Sequence, residues 1–426
     1  MAARRPLAAF GALLSVGVIA VAGTGCGAQA AAAGRLAAQT TPFVVARAET
    51  PAIADDDIAA QETRLVPAAT ATPAKTKAKT GPVPPDRPAL RADWQAGVNL
   101  TADAATDFLA PGSDDALQAA RADGSTSVEI VATWYMTDAT ASSVAADPVR
   151  TPTDAAVAHA VATAESLGLK VLLKPQVDVL DGTYRGLIAP ANRPAWFASY
   201  RAMLLHYATL ALQSKAAGLV VGVELGSMVS GPRDTVLWRS MIRSVRNVGY
   251  RGQLTYAANW DQLGLVGFWR SLDYIGVDAY FPLIPHGRQS QPTIAQLVSA
   301  WHRSYVVGGP VNWVNRIARL EHDERRPVVF TELGYVAASC TAADPYDVAP
   351  VCPSGARSVA TEHAQQDAYV AALRVWSRTP YVRGIYWWDW PTDANQGTDA
   401  YSPRGKLAEQ TLREWNATRG TLTTKH

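Results

Sequence analysis

The segment Leu219-Val-Val-Gly-Val-Glu224 is a short apolar run that ends abruptly in an acid. Its length and β-branched content are typical of a buried strand in a parallel sheet. Similar short runs recur along the chain. The strand candidates are Ala96–Leu100, Ser127–Thr133, Lys170–Lys174, Leu219–Val223, Gln253–Ala257, Tyr274–Val277, Val328–Thr331 and Gly384–Trp387.

Apolar residues recur at helical spacing between these strands, as in the series from Trp196 to Tyr207 and from Ile294 to Trp301. Eight β/α units in one continuous stretch predict an α/β protein with a single (β/α)8 TIM barrel over residues 92–420. An open doubly wound sheet is the alternative. Such a sheet usually carries a glycine-rich phosphate-binding turn after its first strand, and Gly97-Val98-Asn99-Leu100 is not one.

The composition excludes several functional classes. The chain has 426 residues, of which 48% are hydrophobic, so it can bury a large core. A net charge of +2 argues against a broad nucleic-acid-binding surface. With 7 His, 3 Cys and neither an HExxH nor a CxxC motif, we predict no metal and no cofactor. The 13 Trp suit stacking on ligands as well as packing.

The first 30 residues have the pattern of an export signal. Arg4 and Arg5 precede an apolar run from residue 7 to residue 22, which is shorter than the ~20 apolar residues of a membrane span. Ala28-Gln29-Ala30 fits a signal-peptidase site. Thr24-Gly25-Cys26 resembles a lipoprotein box, although Gly23 stands where such boxes usually carry Leu. Free secretion and a lipid anchor at Cys26 both stay open as predictions for the localisation, and the anchor is the only membrane contact expected.

Residues 31–91 are rich in Ala, Pro and Thr and lack sustained apolar periodicity, which predicts a disordered linker. Export also changes the oxidation state that is expected for the cysteines. Cys340 and Cys352 lie 12 positions apart (352 − 340), and in an oxidising compartment they are expected to form a disulfide that closes the loop after the seventh strand.

Polar and aromatic residues stand at the carboxyl ends of all eight predicted strands, where TIM barrels carry their active sites. Any one of them can be explained as a helix cap or as a residue that covers the end of the barrel, but the complete set favours a functional site at this end of the barrel. The candidates are Asn99, Trp134, Lys174, Asp178, Glu224, Asn259, Asp278, Tyr280, Glu332, Trp387 and Trp388.

Two glutamates in this set each end an apolar strand. A carboxylate at the end of a buried strand costs several kcal/mol unless it is partnered or used. Strands four and seven are expected on opposite sides of the ring, so Glu224 and Glu332 would face each other across the mouth. Glycoside hydrolysis needs such a pair of carboxyl groups. The alternative is that Glu224 forms a structural salt bridge with Lys174 or an Arg.

Five ordered motifs resemble glycoside hydrolase family 113 over most of residues 92–417. They are Val221-Gly-Val-Glu-Leu-Gly-Ser227, Leu254-Thr-Tyr-Ala-Ala-Asn-Trp260, Leu272-Asp-Tyr-Ile-Gly-Val-Asp-Ala-Tyr-Phe-Pro-Leu283, Phe330-Thr-Glu-Leu-Gly-Tyr335 and Gly384-Ile-Tyr-Trp-Trp-Asp-Trp390.

The resemblance implies a retaining β-mannanase-type enzyme that acts on a polysaccharide or oligosaccharide. By this resemblance Glu224 is the acid/base, Glu332 the nucleophile and Tyr280 a hydrogen-bond donor to the nucleophile. Either Trp387 or Trp388 forms the aromatic floor under the sugar, and Lys174 lies near the site. We predict that the remaining strand-end residues bind substrate: Asn99, Trp134, Asp178, Asn259 and Asp278.

One position departs from the clan pattern. Val223 precedes the acid/base, where most of the clan has an Asn that contacts the sugar 2-hydroxyl, and Asn259 or Lys174 is then the candidate for that contact. Two alternative functions stay open: a clan relative that acts on β-glucan or β-xylan, and a non-catalytic carbohydrate-binding barrel. We expect a monomer.

Overall fold

A computed structural model describes residues 90–285, 291–306, 309–350, 360–393 and 401–419. The predicted signal segment, most of the predicted linker and Cys352 lie outside these residues. Leu90 and Arg91 were assigned to the linker but are already part of the fold. Leu90 is fully buried, and the Arg91 guanidinium donates to the carbonyl of Pro380 at 2.8 Å. No helix in the described part of the chain is long and apolar enough to cross a membrane.

Eight parallel strands form a closed barrel, which confirms the predicted fold class. Each of the eight strand candidates overlaps one barrel strand. The barrel strands are β1 (Gln95–Thr101), β2 (Ser127–Met136), β3 (Lys170–Val179), β4 (Gly218–Val223), β5 (Gln253–Asn259), β6 (Ile275–Asp278), β9 (Val328–Leu333) and β10 (Val382–Pro391), and β7 (Ser304–Val306) and β8 (Gly309–Val311) form a separate antiparallel hairpin. The order around the barrel is β1-β10-β9-β6-β5-β4-β3-β2.

Helices follow the strands with two irregularities in the described residues: no α-helix lies between β5 and β6, and two helices lie between β6 and β9. The helices are α1 (Pro111–Ala122), α2 (Asp154–Ser166), α3 (Arg193–Gln213), α4 (Pro232–Asn247), α5 (Ile294–His302), α6 (Trp313–Glu324), α7 (Glu362–Trp376) and α8 (Leu407–Asn416). Two short 3-10 turns, Leu263–Leu265 and Trp269–Ser271, take the place of a helix between β5 and β6. This short connection contains Gly264 and Gly267, which disfavour a helix.

The core lies mainly between the barrel and its helices, and tryptophan fills much of it. Ten of the thirteen Trp side chains are buried, and eight of these are less than 2% exposed: Trp196, Trp238, Trp269, Trp301, Trp313, Trp376, Trp390 and Trp415. The high Trp content therefore serves mainly core packing, and only a minority of these rings is available for a ligand.

Candidate active site

Glu224 follows the last residue of β4 at the mouth of the barrel. Its φ of 52° lies in the left-handed region, which costs a non-glycine residue about 1–3 kcal/mol and is most often seen at functional sites. Two hydrogen bonds hold this turn: the Glu224 amide donates to the carbonyl of Ala257 at 2.8 Å, and the Leu225 amide donates to the Tyr256 hydroxyl at 2.8 Å. The sheet thus fixes the backbone that carries this carboxyl group.

Arg185, from the loop after β3, lies beside Glu224. Its Nη1 is 3.5 Å from Glu224 Oε2, and its Nε donates to Asp178 Oδ1 at 3.0 Å. Burial raises the pKa of Glu224 to about 7; Arg185 opposes this rise and the charge of Glu332 adds to it. A carboxyl group that holds its proton near neutral pH is suited to act as a general acid. The neighbouring cation is thus Arg185, which the sequence did not single out, and burial outweighs its effect on the pKa of Glu224.

Glu332 lies in β9, and each of its carboxyl oxygens receives one hydrogen bond. Lys174 Nζ donates to Oε1 at 2.6 Å, and the Tyr280 hydroxyl donates to Oε2 at 2.7 Å. Burial, and next the charge of Glu332, raise the pKa of Tyr280 well above its ordinary value, so the tyrosine stays a donor. The two bonds stabilise the ionised carboxylate and fix its direction.

The positions of the two glutamates differ from the prediction in one respect. Strands β4 and β9 are separated by β5 and β6, so they are three steps apart in the ring, whereas diametrically opposite strands are four steps apart. The strand that lies opposite β9 is β3. This placement brings Lys174 of β3 across the barrel to Glu332, and Glu224 approaches from the side.

Lys174 is fully buried at the centre of an acidic cluster beneath Glu332. Its Nζ is 3.1 Å from Glu129 Oε2 and 4.0 Å from Asp278 Oδ1, and it donates to Asn99 Oδ1 at 3.1 Å. Burial lowers the pKa of Lys174, but the charges of Glu129, Glu332 and Asp278 outweigh that effect and raise it overall. Lys174 is therefore the cation of this cluster.

The two other acids of the cluster favour their protonated forms. Burial raises the pKa of Glu129 to about 7, against the lowering effect of Lys174. Burial and the charge of Glu332 raise the pKa of Asp278 well above its ordinary value. The positive charge of Lys174 therefore has one negative charge to balance within the cluster. Of the three acids, Glu332 lies closest to Lys174 Nζ, at 2.6 Å, so it is the partner that carries this charge.

Three predicted substrate-binding residues lie below the mouth and do not face it. Asn99, Lys174 and Asp278 are each 0% exposed. Asn99 also donates to the carbonyl of Thr331 at 3.0 Å, and the Thr331 hydroxyl donates to Asp278 at 2.8 Å. These side chains support Glu332, and we correct their assignment as substrate contacts.

Two predicted tryptophans point away from the barrel interior. Trp134 Nε1 donates to the Tyr207 hydroxyl of α3 at 3.0 Å, and Trp387 stacks on Tyr369 of α7 with ring centroids 3.9 Å apart. The reason is strand alternation, because successive side chains point to opposite faces. Glu129 points into the barrel, so Trp134, an odd number of positions later, faces the helices. Neither ring is in place to contact a sugar.

Trp388 instead faces the site. Its ring centroid lies 5.5 Å from Lys174 Nζ, and the half-buried ring packs against the cluster that contains Tyr280 and Tyr401. Of the two candidates for the aromatic floor, only Trp388 is in position.

The last two candidates, Asp178 and Asn259, are half-buried on the Glu224 side of the mouth. Asn259 Nδ2 donates to the Tyr184 hydroxyl at 2.7 Å.

Sequence reasoning missed three residues of the site: Glu129, Tyr184 and Arg185. Glu129 carried a signal, since it is a single acid inside the apolar strand Ser127–Met136. Arg185 and Tyr184 belong to a loop, and no periodicity marks them.

Two carboxyl groups at a barrel mouth, one with a pKa raised to about 7 and one that accepts hydrogen bonds on both oxygens, are typical of enzymes that cleave glycosidic bonds. The sequence profile described as Glycoside Hydrolase Family 113 matches residues 101–406. The chain belongs to this family and is a glycoside hydrolase. No curated protein matches it in sequence.

Solved structures with the same fold include members of this family. One is the GH113 β-mannanase AaManA from Alicyclobacillus acidocaldarius in complex with ManMIm, with 24% identity, a TM-score of 0.65, and coverage of 76% of this chain and 97% of that one. Another is a GH113 β-1,4-mannanase with 25% identity, a TM-score of 0.64, and coverage of 76% and 99%.

Proposed function

We propose that the protein is a retaining β-mannanase-type hydrolase that cleaves β-1,4-mannan or manno-oligosaccharides by double displacement. The observation that carries the mechanism is the different support of the two carboxyl groups. Glu332 accepts hydrogen bonds from Lys174 and Tyr280, whereas burial raises the pKa of Glu224 to about 7. One group is prepared to attack as an anion and the other to donate a proton.

The proposed reaction has two steps. Glu332 attacks the anomeric carbon while Glu224 donates its proton to the departing glycosidic oxygen, and a glycosyl ester forms on Glu332. Burial raises the pKa of Glu224 and the charge of Glu332 adds to this rise; the ester removes that charge, which favours ionisation of Glu224 beside Arg185. As a carboxylate it takes a proton from water, which attacks the ester and releases the sugar with its original configuration.

Support for mannan as the substrate comes from family membership and from the structural neighbours described as β-mannanases. Another β-glycan is the second candidate because Val223 stands where most of the clan has an Asn. Val223 is almost fully buried and packs with Val220 and Ala257, so it offers no polar contact to a sugar 2-hydroxyl. Asn259 is the nearer replacement, since Lys174 is fully buried.

Incubation with β-mannan, β-glucan and xylan, followed by proton NMR of the products, tests the proposal. We expect cleavage of mannan with a first-formed β anomer, because the second displacement restores the configuration. A first-formed α anomer would indicate an inverting enzyme, whose carboxyl groups stand about 6.5–9.5 Å apart instead of about 5–5.5 Å. Cleavage of glucan or xylan alone would reassign the substrate, and polymer binding without cleavage would favour a non-catalytic barrel.

We further propose that the enzyme is exported, either free or lipid-anchored, and that Cys340 pairs with Cys352. Cys340 is fully buried in the segment after β9. The mass of the exported protein should correspond to a chain that begins at residue 31 or at a lipidated Cys26, with the Cys340–Cys352 disulfide intact. If the protein is anchored by a lipid at Cys26, the Cys26→Ser variant should be released from the membrane. If the protein is exported free, the substitution should leave its location unchanged. Retention of the full chain in the cytoplasm, or two free thiols in the exported protein, would contradict the proposal.

A further inference from the structure

Tyr346 is an aromatic residue with a largely exposed ring at the mouth of the barrel. It lies between β9 and α7, is 51% exposed, and runs nearly parallel to the ring of Trp260, with 16° between the planes and 6.3 Å between the centroids. An aromatic ring that is nearly parallel to a second ring and about half exposed offers an apolar surface to a ligand. No step of the proposed reaction uses it.

The surrounding structure holds this pair of rings in place. Trp260 packs edge-on against the fully buried Trp313, with ring centroids 5.6 Å apart. The Tyr346 hydroxyl donates to the buried Asp344 at 3.1 Å. A surface that is ordered before the ligand arrives loses little conformational entropy on binding. The Tyr346–Trp260 pair is therefore a preorganised aromatic surface.

Two contacts connect this pair to the catalytic centre. Trp260 directly follows β5 and packs against the cluster that contains Tyr280 and Tyr401. The Tyr401 hydroxyl donates to the carbonyl of Pro345 at 2.6 Å, and the Tyr401 ring packs edge-on against Tyr280 at 6.0 Å. Pro345, the residue before Tyr346, is thus connected through Tyr401 to Tyr280, which donates to Glu332.

The position in the ring indicates which side of the cleaved bond the pair serves. Trp260 extends from β5, the strand next to β4, and β4 leads into Glu224, which protonates the departing oxygen. Trp388 lies on β10, diametrically opposite β4. Trp260, the ring behind Tyr346, therefore follows the strand next to that of the acid/base, whereas Trp388 lies on the strand opposite it.

We propose that Tyr346, backed by Trp260, binds a pyranose unit of the leaving group by stacking on the apolar face of the sugar. This inference rests on the proposed function and specifies where the substrate binds. It predicts that the same surface binds an acceptor sugar when the glycosyl-enzyme transfers its glycosyl group to that sugar instead of to water.

Two measurements on Tyr346→Ala test the inference. For manno-oligosaccharides, whose leaving group is a sugar, we expect kcat/KM to fall about tenfold, the scale of one aromatic stacking contact. With β-mannosyl fluoride as donor and mannobiose as acceptor, the ratio of transfer to hydrolysis should fall by a similar factor, while hydrolysis of the donor by water stays within about twofold, because the fluoride leaving group has no apolar face to stack. Tyr346→Phe is the matched control, because it keeps the ring and should keep both activities.

The other outcomes overturn the inference in distinguishable ways. An equal loss on mannosyl fluoride hydrolysis and on oligosaccharides would indicate a structural role for Tyr346. Unchanged transfer and unchanged oligosaccharide cleavage would show that no sugar binds there. A wild-type enzyme that hydrolyses no mannosyl fluoride and no manno-oligosaccharide would refute the proposed function, and the inference with it.

Discussion

Alanine in place of Glu332 is expected to abolish turnover of every glycoside, with a loss on the order of 10⁵-fold or more, as for other nucleophiles that act covalently. The reason is that Glu332 alone accepts both the Lys174 and the Tyr280 hydrogen bonds that hold a carboxylate ready to attack. Steady-state rates on aryl glycosides and on oligosaccharides should fall together, because no leaving group can compensate for a missing nucleophile. The isosteric Glu332→Gln should behave in the same way.

Glu224→Ala should fail in a different way. Oligosaccharides, which need a proton on the leaving oxygen, should be cleaved about 10²–10⁴-fold more slowly. Aryl glycosides with good leaving groups need no proton, so they should still form the glycosyl-enzyme and then stall. Added azide needs no general base and should restore turnover with a β-glycosyl azide as the product. Azide rescue of Glu332→Ala to an α-azide, with no rescue of Glu224→Ala, would contradict the assignment of the two roles.

The same role predicts a pH dependence in the wild-type enzyme. Glu224 must be protonated to act as the acid, and its pKa is raised to about 7. Cleavage of oligosaccharides should therefore decline as the pH rises through about 7, because the protonated form is lost. Glu224→Ala with an activated aryl glycoside should lack this decline, since formation of its glycosyl-enzyme uses no acid. If both enzymes declined alike, another group would have to be responsible.

The sequence was sufficient for the fold and for the position of the two glutamates at strand ends, for a definite physical reason. A short apolar, β-branched run is stable as a buried strand, and an acid at its end must then be paired or used in a reaction. Glu224 and Glu332 both fit this description. Strand ends alone do not tell which face a side chain takes. Trp134 and Trp387 were misassigned for this reason, although counting alternate positions from Glu129 would have turned Trp134 outward.

Contacts across the closed ring were beyond sequence reasoning. Arg185 reaches Glu224 over 39 positions of the chain (224 − 185), and Lys174 reaches Glu332 over 158 positions. Both contacts depend on barrel closure and on the loop after β3, which leave no periodic pattern. The burial of Lys174 was missed as well, because a lysine at a strand end is normally read as a surface group that binds substrate.

Lys174→Met is expected to reduce both stability and activity, and the two effects can be separated. Loss of one partner of a buried charge cluster costs about 3–5 kcal/mol, so the melting temperature should fall. Without the donor at 2.6 Å, Glu332 loses one of the two hydrogen bonds that fix its direction, so kcat/KM should fall on aryl glycosides and on oligosaccharides alike, even well below the melting temperature. Glu129→Gln removes a carboxyl group that already favours its proton near pH 7, so it should retain most of the activity.

The double variant Lys174→Met with Glu129→Gln separates a positioning role of Lys174 from a merely structural one. It removes the acid that would otherwise share the cavity with Glu332, so part of the lost melting temperature should return. The loss of kcat/KM should persist, because no donor remains beside Glu332. If the double variant regained both the stability and the wild-type kcat/KM, Lys174 would be only a structural counterion. An unchanged kcat/KM in Lys174→Met alone would likewise show that the bond to Glu332 does not position the nucleophile.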